Sequence, residues 1–393
     1  MSTQRTESAA RSRRPPPWRD ERVLRVGIQV VFLLAVVALL WQLGSNLLRN
    51  MRSQGMRTDF GFLDQTAGFT LSGTEFSSRD TIWDALLTGL QNTIVVSVWG
   101  IVLATVLGLL VGIARLSTNW LVRKSAAAFV EGLRNVPLLV FLMFLYLAVL
   151  ARLPRISDAI DGLGFVLSNR GVYAPWIEVA EGSGLFLGVC AAAVVVAIAI
   201  GIWRTRRFDA TGEPHHRVLW GGGAFLIIAA VAWFLLDRPV SPSLPTLDGR
   251  SVTGGYELTV EHGALLFGLV LYMAAFIAEI VRGSILAVPK GQTEAANALG
   301  LRGFDRFRHV VLPQALRIAV PPTGNEFINL AKNSALGIAI AFPELLRVTR
   351  IAIGQGQPAP QLIGIMMLLY LAISLTLSLI MNLFNRRLAL RGA

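Results

Sequence analysis

Beyond the pair Pro321-Pro322, the polar residues Asn325, Asn329, Lys332 and Asn333 recur at helical spacing in the least lipid-like of the chain's long apolar runs. At that spacing they share one face of a helix. Their amides offer both hydrogen-bond donors and acceptors, and Lys332 adds a cation. Glu326 and Ser334 lie nearby in sequence. Polar groups at membrane depth are costly and usually face a bundle interior or a watery cavity. Two uses fit such a face. It borders a solute route, or it lies near the outer interface and holds helices together.

Other candidate chemistry is thinner. Glu279 and Arg282 stand three apart, a spacing that favours a pair within one helix over contact with a solute. Glu131, Arg134 and Asn135 precede Pro137, where anchoring, gating or contact with a partner would each suit them. Cys190 is the single cysteine, so no disulfide can form within the chain, and His215, His216, His262 and His309 lack zinc-ligand spacing. No Gly-Lys dipeptide occurs, so there is no phosphate-binding loop of the G-x-x-x-x-G-K-[ST] type. Gly182-Ser183-Gly184 places a serine between glycines, but it is not the G-x-S-x-G elbow and has no convincing base nearby. No catalytic residue, metal or cofactor is expected on this chain.

The elements that must carry these residues are membrane helices. Of 393 residues, 54% are hydrophobic and 15% charged, against about 25% charged in ordinary soluble domains. Eight apolar runs, near 23–43, 91–114, 126–150, 184–203, 217–236, 263–286, 315–340 and 361–384, are each about long enough to cross a hydrocarbon core. The first is too long for a signal peptide and reads as a retained helix; residues 1–20, rich in Arg, Ser and Pro, are expected to be disordered. The net charge of +12 does not imply nucleic acid, because the cations gather in alternate loops. Arg115, Arg123 and Lys124 fill one; Arg204, Arg206, Arg207 and Arg217 the next. Lys290, Arg302, Arg306, Arg308 and Arg317 come after them, and Arg386, Arg387 and Arg391 close the chain. Positive loops stay inside, which puts both termini in the cytoplasm. The fold class is all-α: a polytopic helical membrane protein of about eight transmembrane helices. Gly108 and Gly112, four apart, mark a close helix contact.

Between the sixth and seventh runs lies a polar elbow. Pro289, Lys290 and Gly291 stop the sixth helix. Thr293 to Leu299 favour a short helix, and Gly300 suits a left-handed end to it. Asp305 can open a second short helix, and Leu312-Pro313 turns the chain toward the next span. Two short helices joined at a glycine can lie on the membrane surface and enter a groove on another protein. Ala295 and Ala296 would let that surface approach, and Glu294 offers it a carboxylate.

The spacing Glu294-Ala295-Ala296, three residues, Gly300, nine residues, Val310-Val311-Leu312-Pro313 resembles the coupling-loop motif of permease subunits in binding-protein-dependent ABC importers. Ala275 to Gly283, Glu131 to Leu139, Leu312 to Ala315, Pro321-Pro322 and Leu330 to Ser334 extend the likeness to the polar amino-acid branch of that family. The chain's length and inserted helix pair further resemble the larger permease of the general L-amino-acid import system. The resemblance implies a five-helix permease core at 89–164 and 263–386, with the coupling loop at 288–313. Added to it are a cytoplasmic tail 1–22, an extra helix 23–43, a periplasmic segment 44–88, an insertion 165–262 with two more helices, and a tail 387–393. The first helix with the stretch 45–88, and likewise the insertion, could each be removed with the remaining spans intact. The resemblance also implies partners: a cytoplasmic ATP-binding subunit that holds the ATP and Mg, a second related permease forming a heterodimer, and a periplasmic amino-acid-binding protein. Membrane lipid surrounds the helices. An ion-coupled secondary transporter is the alternative, with Glu279 and Glu326 its only intramembrane carboxylates.

Overall fold

The computed structural model describes residues 21–53, 55, 57–180, 183–211, 216–249 and 251–389. The tail at 1–20 expected to be disordered, Gly182 of the Gly-Ser-Gly segment, His215 and Arg391 lie outside these residues. The chain begins with α1 (Glu21–Ser53). Helix α2 (Ile82–Ala114) opens in a capping box: the Thr81 hydroxyl accepts from the Asp84 amide at 3.1 Å, and the Asp84 carboxylate accepts from the Thr81 amide at 3.1 Å. Helix α3 (Trp120–Arg134) is capped by Asn119. Helix α4 (Leu138–Phe144) runs on as a π turn over Leu145–Val149 and a 3-10 turn over Leu150–Arg152. Then come α5 (Ser183–Thr211), α6 (Arg217–Leu235) and α7 (Val260–Leu286). The elbow holds α8 (Lys290–Ala298) and α9 (Gly303–Arg306). It leads to α10 (Leu312–Asn333), α11 (Leu345–Gly354) and α12 (Ala359–Ala389).

Of the eight expected spans, six are uninterrupted helices long and apolar enough to cross a membrane: α1, α2, α5, α6, α7 and α12. The run at 126–150 is not one rod. Helix α3 and the α4 segment meet at 104°, because Pro137 has no amide to donate and disfavours helical backbone at the residue before it. Helix α10 stays helical through Pro321 and Pro322, but its Asn, Lys and Glu side chains keep it below the apolar content of the other six. After Asn333 it tightens into a 3-10 segment, Ser334–Ile340.

Helices α2 and α7 form the most extensive helix pair. A Cβ added at Gly108 would lie 2.7 Å from the Ile277 side chain and 3.0 Å from the Ala274 carbonyl; one at Gly112 would lie 2.8 Å from the Ala278 carbonyl. The two glycines therefore let the backbones approach, as their spacing suggests. Helices α3 and α10 pack on α7, α11 on α2, and α12 on α10. One core cluster gathers Leu138 and Leu142 with Leu265, Leu269, Met273 and Ile277.

Two loop regions are more ordered than their composition suggests. Phe62, Phe69, Leu71 and Phe76 are buried with Ile82, Leu86, Leu345, Val348 and Leu362. The segment before α2 is thus a cap on α2, α11 and α12 rather than a removable polar stretch, its aromatic residues spaced among polar ones. Among the described residues, the insertion carries seven short strands, and an eighth, β1 (Ile160–Gly162), immediately precedes it: β2 (Phe165–Ser168), β3 (Gly171–Ala174), β4 (Trp176–Val179), β5 (Val240–Ser243), β6 (Thr246–Asp248), β7 (Ser251–Thr253) and β8 (Tyr256–Thr259). They form an antiparallel sheet of order β1-β2-β3-β8, an antiparallel pair β4-β5 that brackets α5 and α6, and a hairpin β6-β7. Strand β8 runs directly into α7, whose first turn is capped by the Thr259 hydroxyl. The insertion is therefore stitched to the core.

Candidate functional site

The elbow is built by local chemistry. Pro289 precedes α8, and α8 ends in a Schellman motif: the Leu301 amide donates to the Ala296 carbonyl at 3.1 Å and the Gly300 amide to the Asn297 carbonyl at 2.9 Å. Gly300 has φ +74°, and nothing lies within 4 Å of a Cβ placed there. Glycine is required for its backbone angle, not for space. Arg302 precedes α9, which passes into a π turn, Phe307–Val311. Arg306 donates to the Asn297 side chain and joins the two short helices. At the stem Val288, Val311 and Ala315 are buried together, with Ile285 and Phe307 against them.

At the tip, Glu294 and Ala295 are exposed and Ala296 is buried. Composition assigns both alanines to a partner; the close of α8 over the elbow takes Ala296 inside. Leu312 and Pro313 also differ from expectation. They sit in the first turn of α10, where a proline costs little, and the chain does not turn there. The most exposed apolar groups of the elbow are Leu299, 81% exposed, and Phe304, 72% exposed. Sequence reasoning missed both. The available signal is a large apolar residue beside each of Gly300 and Gly303 in a polar loop.

Just above the elbow, Glu279 and Arg282 pair on α7: the Arg282 Nε donates to Glu279 Oε2 at 3.2 Å. Arg115, the residue that ends α2, also reaches Glu279 and lies 4.0 Å from Glu131 of α3. The guanidinium of Arg134 stands over the Phe276 ring, 5.3 Å from its centre. Helices α2, α3 and α7 are therefore tied by ionic and cation–π contacts beside the bend at Pro137. Sequence spacing reveals the pair on α7 but not the reach from Arg115.

On α10, Asn325, Asn329 and Lys332 are exposed and Asn333 is half-buried, while Gly324, Leu330 and Ala331 are buried. Gly324 faces Met381 of α12. Asn325, Asn329 and Lys332 thus share a face turned away from this chain's own helices, with half-buried Asn333 at its edge. Beyond them the 3-10 segment ends at Ala341, φ +67°, and returns through Phe342 and Pro343 to α11. A buried polar knot fixes this return. Fully buried Glu344 accepts from the amides of Leu346 and Arg347, each at 2.7 Å, and from Tyr370 Oη at 2.8 Å. Asn92 donates to the Pro343 carbonyl at 2.9 Å and the Thr93 hydroxyl accepts from the Leu345 amide at 3.2 Å. Glu344 lies outside every apolar run that the sequence displays.

Comparison with known proteins places these features. Residues 100–391 match the family described as the binding-protein-dependent transport system inner membrane component. A general L-amino acid transport system permease of Rhizobium johnstonii, AapQ, is 38% identical over 94% of each chain. A putative amino-acid ABC transporter permease of Escherichia coli, YhdX, is 37% identical over 92% of this chain and 93% of its own. BztB of Rhodobacter capsulatus, a glutamate/glutamine/aspartate/asparagine transport system permease, is 37% identical over 95% of each.

Proposed function

The chain belongs to the family of binding-protein-dependent transport system inner membrane components, and on that footing we propose how its parts divide the work of moving an amino acid inward. It is a multi-pass permease subunit of an amino-acid ABC importer in the inner membrane. The elbow 288–313 is the contact for a cytoplasmic ATP-binding subunit, which holds the nucleotide and Mg and hydrolyses it. The observation that carries this reading is the glycine-terminated α8 next to α9, closed at its stem by Val288, Val311 and Ala315 and presenting Leu299 and Phe304 at its tip. A folded knuckle with exposed apolar anchors can enter a groove as a unit. Glu294 and Ala295 sit on its outer surface; Ala296, Gly300, Leu312 and Pro313 shape it from within and below.

The face of Asn325, Asn329, Lys332 and Asn333 borders the route, opposite a second, related permease chain. Its support is chemical. The face is polar, turned away from its own bundle at Asn325, Asn329 and Lys332, and able to donate to a carboxylate and accept from an ammonium. The relatives' names, general L-amino acids for one and four acidic and amide amino acids for another, support a broad L-amino-acid specificity. A periplasmic binding protein delivers the solute.

The test is Gly300→Val in the assembled transporter. A β-branched residue at φ +74° adds roughly 1–2 kcal/mol of backbone strain to α8's end. The expected outcome is reduced co-purification of the ATP-binding subunit and reduced ATP-dependent uptake in proteoliposomes, with the permease still inserted. Unchanged co-purification and uptake would remove the elbow from the coupling role. Uptake that persists without the ATP-binding subunit and follows an ion gradient would favour the secondary-transporter alternative.

A further inference from the structure

Glu344 is a fully buried carboxylate that belongs neither to the elbow nor to the polar face of α10. Burying such a group is costly unless hydrogen bonds or an opposite charge compensate it. Among the described residues no cation lies within 4.0 Å of it, so hydrogen bonds must compensate. Oε1 accepts from the Arg347 amide, and Oε2 accepts from both the Leu346 amide and Tyr370 Oη. The two amides belong to the first turn of α11, where a shorter aspartate is an ordinary cap. The third donor is different. Tyr370 stands on α12, so the carboxylate ties the start of α11 to a second helix.

The tie reaches α10 as well. Fully buried Ser334 opens the 3-10 segment one residue past Asn333, and its hydroxyl and that of Thr93 lie close to Tyr370 Oη. A Cβ added at Gly337 would lie 3.4 Å from Glu344 Cγ, so the segment rests on the stem of the glutamate. Here α-helix gives way to 3-10 geometry, a change that often marks a hinge. The chain then reverses at Ala341 with φ +67°, a conformation that a non-glycine residue keeps only where its surroundings impose it. Helices α10 and α12 also meet nearer the elbow, at Gly324 and Met381; Glu344 and Tyr370 supply the link at the other end. We propose that Glu344 is a positioning residue for transport: acting through Tyr370, it fixes the hinge at Ser334–Ile340 and so holds Lys332 and Asn333, in the last turn of α10, at their place along the solute route. This rests on the assignment of the α10 face to that route.

The experiment uses the assembled transporter in proteoliposomes, with uptake of a labelled L-amino-acid mixture read against the concentration of loaded binding protein and normalised to assembled protein. Glu344→Asp keeps a cap on α11 but falls short of Tyr370. Tyr370→Phe keeps the cap and removes the hydroxyl. Each breaks one hydrogen bond to a charged group, so kcat should fall about ten-fold while KM for the binding protein stays at the parental value. The double variant should be no slower than either single one, because both cut the same link. Hydrogen exchange of the amides of residues 335–341 should quicken in both variants, with that of α7 unchanged. Parental turnover with quickened exchange would overturn the proposal by taking α10 out of the route. Unchanged exchange would overturn it and leave the route standing. Additive losses, or a parental rate per assembled transporter, would reduce Glu344 to a cap on α11.

Discussion

Helices α7 and α5 are alike in length, 27 and 29 residues, and both are apolar enough to cross a membrane, yet 61% of the apolar stretch of α7 is buried within the chain and 6% of that of α5. Small residues do not explain the difference by their presence alone. Helix α7 buries Gly263, Ala264, Gly268, Ala274, Ala275 and Ala278, but α5 has Gly184, Gly188 and Gly201 and none of these has an atom within 4 Å of a Cβ position. What separates the two is a complementary partner. Against Ile277 and Ala278, α2 offers Gly108 and Gly112 at one-turn spacing. In lipid, where tails are as apolar as leucine, close packing of this kind rather than apolar content holds helices together. Apolar content tells which segments enter the membrane, and backbone approach tells which become core.

The largest effect should come from breaking that approach. Gly108→Val and Gly112→Val each place a side chain where a carbonyl or Ile277 already stands, and overpacking of a filled site costs about 1–3 kcal/mol per site. The double variant should fail to assemble with its partner subunits or show a clearly lowered melting temperature in detergent. A parental melting curve would mean that the α2–α7 contact is looser than its geometry.

A smaller effect is expected where α2 and α7 are joined by charge. Glu279→Gln leaves the guanidinium groups of Arg115 and Arg282 without their carboxylate. A hydrogen bond to a charged group is worth about 1.5–3 kcal/mol, and the groups here are partly solvated, so the lower end applies. A double-mutant cycle with Arg115→Ala, read by thermal unfolding, should show coupling between the two residues. Strict additivity would make the cross-helix pair energetically idle.

The elements of this comparison differ in how far the sequence discloses them. Both α5 and α7 are visible as apolar runs, and the left-handed Gly300 and the Glu279–Arg282 pair are visible because each is decided by neighbours within a turn. Burial is not, since it depends on what another helix brings, which is why α5 and α7 read alike. Phe62, Phe69 and Phe76 look like part of a polar stretch because their partners Leu345 and Val348 lie nearly 300 positions away. Glu344 escapes notice too: its partner Tyr370 lies 26 positions on, and the neighbouring Pro343 and Leu345 are held by Asn92 and Thr93 of α2, about 250 positions before. Three- and four-residue strands such as β1 and β6 are too short to show alternation. At the elbow, the choice between Ala295 outside and Ala296 inside rests on the rotation of α8, which composition does not fix.

Exposure itself has two meanings, and Asn329 separates them. On α5 the exposed residues are mostly apolar, as lipid contact requires; on α10 the exposed residues include Asn325, Asn329 and Lys332. Asn329→Leu makes the α10 face more like that of α5. If the face borders the route, transport should fall roughly ten-fold, the loss of about one hydrogen bond to solute, with assembly and melting temperature intact. Normal transport, or a loss of assembly with it, would assign the face to helix contact.

The smallest effect should be at Gly188→Leu on α5. Nothing lies within 4 Å of the Cβ position, so the new side chain meets lipid. Leucine is also a better helix former than glycine by somewhat under 1 kcal/mol. The melting temperature of the assembled transporter should stay level or rise slightly. This near-silent substitution is the sharpest control on the comparison. A destabilisation as large as that from Gly108→Val would mean that α5 packs against another subunit as tightly as α7 packs against α2. Helix α5 would then be a core helix of the assembly rather than of the chain, and its burial would have to be counted across chains.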